Sequence, residues 1–110
     1  MDQENNIEYL NSILCHEKSE LSEMKCLHNL HNLRIKLFEN IVKEQTQKGN
    51  FVIAHHYEFI IQNYRIVQNV NHNEYIAKQL YIQQLTNEIE IIKLNIQMNQ
   101  IQILNNQLID

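Results

Sequence analysis

Gln45-Thr46-Gln47-Lys48-Gly49-Asn50 contains the chain's only glycine, near the midpoint of 110 residues that include no proline. Glycine frees the backbone, and proline removes a donor and clashes with the preceding turn, so these two residues most often end a helix. One polar break between two long uninterrupted stretches therefore predicts helices over about 5–47 and about 51–109, joined by a hinge at about 47–50. The expected fold class is all-α: a long antiparallel helical hairpin, coiled-coil-like in its packing, in a single helical domain over 1–110.

Working outward on the N-terminal side, Ile7, Leu14, Leu21, His28, Ile35 and Val42 recur every seven residues, with Leu10, Glu17, Met24, His31 and Phe38 three positions on. These are the a and d rows of a coiled-coil seam. On the C-terminal side a second seam begins with Tyr57, Ile60, Tyr64 and Val67, passes through polar Asn71, Glu74 and Lys78, and resumes at Tyr81, Leu85 and Ile92. A hinge centred near Gln47 and Lys48 sets residues whose numbers sum to about 95 opposite each other. Phe38 then faces Tyr57, Ile35 faces Ile60, His31 faces Tyr64, His28 faces Val67, Leu10 faces Leu85, and Glu17 meets Lys78.

The alternative is a three-helix bundle with a second break near 69–73, where Asn69-Val70-Asn71-His72-Asn73 offers cap residues and Asn71 precedes Glu74 at capping-box spacing. Against it stand the unequal helix lengths it would create and the seam residues that continue in phase across the break.

Apolar residues exceed what one seam needs. In the last segment Ile82, Leu85, Ile89, Ile92, Ile96 and Ile103 fall on one face, and Leu80, Ile91, Leu94, Met98, Ile101 and Leu108 fall on another. Leu27, Leu30, Leu37 and Ile41 lie off the seam of the first helix. In the expected register Ile92 faces Gln3, so about 17 residues, or about 25 Å of helix, extend beyond any facing chain. The candidate protein-interaction residues are accordingly Leu94, Ile96, Met98, Ile101, Ile103, Leu104 and Leu108, with Leu30, Leu37 and Ile41.

Charge and composition bound the chemistry. Nine basic and 13 acidic residues give a net charge of -4, and the basic ones are scattered apart from a loose group at Arg34, Lys36 and Lys43. That pattern fits a solvated face, and no nucleic-acid partner is expected. No stretch reaches the roughly 20 apolar residues that span a bilayer, so no membrane span is expected. The start Met1-Asp2-Gln3-Glu4 lacks signal-peptide character, so the expected location is cytoplasmic, with nuclear as an option. Cys15 and Cys26 lie about 16 Å apart along one helix, too far for a disulfide, and are expected as buried or half-buried thiols.

His28 and His31, three apart on the seam, could form half of a metal site, but their expected neighbours supply no further ligand. They are expected to moderate the seam, hydrogen-bonded to Tyr64 or to a backbone group. A histidine buried at such a position also offers a pH-sensitive seam. His55 and Glu58 are spaced to form an exposed pair. Tyr9, Tyr57, Tyr64, Tyr75 and Tyr81 read as core residues with hydroxyls at the edge. No phosphate loop, nucleophile elbow or metal motif occurs, so no catalytic residue, cofactor or metal is expected and the chain is read as not an enzyme. The expected function is a helical interaction subunit that self-associates or docks into a larger helical complex through its C-terminal apolar overhang. The alternative is a small monomeric helical-bundle chaperone or inhibitor that sequesters one protein client.

Overall fold

The computed structural model describes residues 3–109, with the side chain of Ile109 outside the description. Two helices pack antiparallel as a hairpin, α1 over Gln3–Gln47 and α2 over Phe51–Ile109. No strand occurs among the described residues. α2 passes through 69–73 without interruption, so the second break of the three-helix alternative does not form. Asn71 sits half-buried in the seam instead of capping a helix.

The hinge is built by the residues that mark it in the sequence. Gly49 takes φ +78°, a left-handed backbone that costs any residue with a Cβ about 1–2 kcal/mol. There its N–H donates to the Thr46 carbonyl at 3.1 Å, while Asn50 N–H donates to Gln45 at 2.9 Å. Together the two bonds close α1 in a Schellman motif and satisfy carbonyls that the helix end would otherwise leave open. The Asn50 carbonyl then accepts the first bond of α2, from Ala54 N–H at 3.1 Å. Its amide side chain donates to Gln45 Oε1 at 2.9 Å, tying the two helix ends together.

The packing divides into a hinge unit, Leu21–Ala77, and a terminal unit that combines the chain up to Glu20 with the chain from Lys78 onward. In the hinge unit the core is Ile35, Ala54 and Ile61, at 7%, 4% and 6% exposure, with His31 buried beside them. Phe38 stacks on Tyr57 and Tyr64 at 5.7 and 5.8 Å, and His31 meets Tyr64 edge-on at 5.5 Å. These ring pairs carry the expected register. At the rim, Arg65 bonds Glu39 at 2.8 Å and Gln68 donates to Asn32 at 2.7 Å.

In the terminal unit Leu85 and Ile89 are buried, and Leu10, Leu14, Ile82 and Ile92 are half-buried. Lys78 Nζ lies 2.6 Å from Glu17 Oε2, so the pairing of these two seam charges holds.

The seam of α1 follows the expected rows throughout: every one of those positions is buried or half-buried. In α2 one row holds, through Tyr57, Tyr64, Asn71, Lys78, Leu85 and Ile92. The other is displaced by one residue. Ile61, Gln68, Tyr75 and Ile82 turn inward, and Val67, Glu74 and Tyr81 of the expected row are exposed, Val67 at 45% and Tyr81 at 42%; at the hinge end Ile60 stays half-buried beside Ile61. The displaced row is the one that continues through Ile89 and Ile96, so the helix covers Tyr75 and Ile89 in place of Glu74 and Glu88.

Candidate functional site

α2 in the terminal unit has two apolar faces. The inner one, Ile82, Leu85, Ile89, Ile92 and Ile96, is buried or half-buried. Turned to the opposite side by the 100° step of the helix, Leu80, Ile91, Leu94, Met98, Ile101 and Leu108 are 63%, 57%, 56%, 60%, 56% and 82% exposed. Every residue from Gln97 to Leu108 is exposed, and Ile103 and Leu104, each at 57%, add apolar surface on the inner side. Ile96 departs from the expected overhang. It is half-buried and shares a shallow recess with Gln3 and Glu4 of α1 and with Asn99, Gln100 and Ile103, so the facing helix reaches about one turn further than the sum rule placed it.

In the hinge unit the off-seam residues of α1 are exposed at Leu27, Leu30 and Leu37, by 45%, 42% and 58%, whereas Ile41 is half-buried. Sequence reasoning missed Leu33 at 64%, and on α2 it missed Phe59, Ile66 and Val70, at 64%, 61% and 54%. Seven-residue spacing of Val52, Phe59 and Ile66 was the signal that could have found the α2 set.

Among the described residues, charged groups converge around Lys78. Lys78, 19% exposed, reaches both Glu17, 16% exposed, and Glu20, and Glu20 also pairs with His16 Nε2 at 2.9 Å. The hydrogen bond from Lys78, followed by its charge, holds the Glu20 carboxyl below the usual carboxylate range. Hydrogen bonds to Glu17 and then Glu20 push the Lys78 ammonium above its ordinary value. Ligand atoms of His16, Glu17 and Glu20 lie within 4.8 Å of one another, a spacing a metal could bridge. The chain's own ammonium already holds both carboxylates, so the cluster reads as an internal ion clamp.

The histidines separate. His31 is buried at 7% exposure and its Nδ1 has no hydrogen-bond partner, so the ring is held by the edge contact with Tyr64 and not by the expected hydrogen bond at that nitrogen. His28 is half-buried and lines a cavity of about 250 Å³ with Met24, Lys25, Asn71, His72 and Tyr75. Val67, its expected neighbour, lines a different recess with His31 and Tyr64. His55 and Glu58 pair at 3.5 Å on the surface. Cys15 and Cys26 are free and exposed, not buried: their positions fall on the outer side of α1. Tyr57, Tyr64 and Tyr75 are half-buried, whereas Tyr9 is 64% exposed.

Comparison with family models, with curated proteins and with solved structures found no match. Among the described residues no helix is long and apolar enough to cross a membrane.

Proposed function

We propose that the chain is a non-enzymatic helical interaction subunit that joins a larger helical assembly through the outer face and free end of α2. The supporting observation is the stripe from Leu80 to Leu108, whose six aliphatic side chains are more than half exposed although they repeat with seam spacing. A stripe of this chemistry gains roughly 1.5–3 kcal/mol for each side chain that is fully covered. Contiguous apolar surface such as Ile91, Leu94, Met98 and Ile101 present marks an interaction site more often than a finished exterior. Lys78, Glu17 and Glu20 are already paired with one another, and the α2 segment from Leu94 to Leu108 carries no charged residue, so what that segment offers a partner is apolar and amide surface.

The test is the native size of the chain in extract of its own cells. The wild type is expected to migrate in an assembly well above the 13.3 kDa of one chain. The double variant Leu94→Asp and Ile101→Asp is expected to run free. If the wild type also ran as the free chain, the reading would fail.

A further inference from the structure

The exposed stripe of α2 has internal order that names its occupant. From Ile91 its members are spaced three, four, three, four and three residues apart: Ile91, Leu94, Met98, Ile101, Asn105, Leu108. An a position is followed by d after three residues and by the next a after four, so Ile91, Met98 and Asn105 are a positions while Leu94, Ile101 and Leu108 are d positions. A β-branched residue at a with Leu at d favours two parallel strands, as at Ile91 with Leu94; Leu108 is a second d-position Leu, and Ile101 at d does not add to that preference. A single Asn at a fixes register, because its amide is satisfied when it meets the same amide across a two-fold axis.

The flanking residues accept an identical partner. In a parallel in-register pair the positions beside this seam set Glu90 against Asn95 of the other copy and Gln97 against Gln102, and no charged residue occurs from Leu94 to Ile109. Two copies therefore meet without like-charge repulsion, whereas a highly charged foreign helix finds no counter-charges there. The area also suffices. Ile91, Leu94, Met98, Ile101 and Leu108 carry on the order of 60–100 Å² of coverable apolar surface each, or roughly 400 Å² per copy. With the polar part of an interface added, that approaches the ~800 Å² per partner of a stable pair.

We infer that the occupant is a second copy of this chain, its α2 lying parallel and in register over Ile91–Leu108, with Asn105 paired to Asn105. The inference rests on the interaction-subunit reading and gives it a partner.

The test uses the purified full-length chain. Light scattering is expected to give twice the single-chain mass, and Ile101→Asp, at a residue 56% exposed, is expected to weaken the dimer at least tenfold with helicity unchanged. Asn105→Val is expected to relax the restriction to two strands and raise the mass. In a background with Cys15→Ser and Cys26→Ser, Leu94→Cys and Asn105→Cys are each made alone and exposed to oxidised glutathione. Both are expected to cross-link to themselves, since only a parallel in-register pair brings two positions eleven residues apart each beside its own copy. A monomer at 0.1 mM, or self-cross-linking at one position or neither, would overturn the inference. A monomer when purified that still runs in a stripe-dependent assembly in extract would overturn self-pairing and leave the interaction-subunit reading standing. A free chain in both would end both.

Discussion

Ile89 and Ile91 stand two residues apart on one helix, yet one is 3% and the other 57% exposed. Leu85 and Leu94 repeat the contrast at 4% and 56%. Both stripes have the same side chains and nearly the same repeat, so residue type does not decide which is covered. What decides is where α1 runs: it lies along the inner stripe and its described residues begin at Gln3, beside Ile96. Burial is here a property of the neighbour.

The sharpest way to break this comparison is to place the same charge on each face. Ile89→Asp puts a carboxylate where water is excluded and is expected to cost about 4 kcal/mol or more, read as a collapse of the thermal transition in circular dichroism. Ile91→Asp is expected to leave helicity intact and remove only the concentration dependence of the melting temperature. Equal losses from the two would show that the outer stripe is not free.

Next in size is the ion clamp on the inner side. Lys78→Met strands Glu17 and Glu20 next to each other and is expected to lower the melting temperature at neutral pH, with Glu17→Gln restoring part of the loss. The pH profile has a fixed sign. Because the Glu20 pKa is lowered by folding, its contribution is whole above the ordinary carboxylate range and is lost as pH falls through the lowered value. Because the Lys78 pKa is raised, its contribution is whole below the ordinary ammonium range and is lost as pH rises through the raised value. The difference in melting temperature between the wild type and Lys78→Met should therefore be constant between those ranges and shrink at both ends.

Smaller still, Gly49→Ala is expected to cost about 1–2 kcal/mol through its positive φ alone, since a Cβ there meets nothing within 4 Å. Last, Glu39→Gln removes an exposed pair, its side chain 48% exposed, and is expected to change stability by less than about 0.5 kcal/mol. A larger loss would mean that surface charge, and not the apolar seam, holds the hinge unit.

Much of this was legible in the residues. The hinge, the unbroken helices and the whole α1 seam follow from one glycine and a seven-residue repeat. The facing pairs Phe38 with Tyr57, His31 with Tyr64 and Glu17 with Lys78 follow from the hinge position. The second row of α2 was misplaced by one residue because Ile60 and Ile61 are both apolar, and at the hinge end either row looks acceptable. The run Ile82, Ile89 and Ile96 held the answer, since the competing row carries Glu88 and Asn95 at the same spacing. The cysteines were misjudged from the general preference of thiols for burial, which their off-seam positions override.

Sequence alone determined that this chain makes two helices, where it turns, and that it carries more aliphatic surface than one seam hides, because helix breaking and helical periodicity are local properties of the residues. Only the tertiary structure decided which of two similar stripes on α2 is covered and that the covering reaches Ile96 and leaves Gln97 to Leu108 open. That choice depends on which faces the two helices turn toward each other, which no single segment encodes.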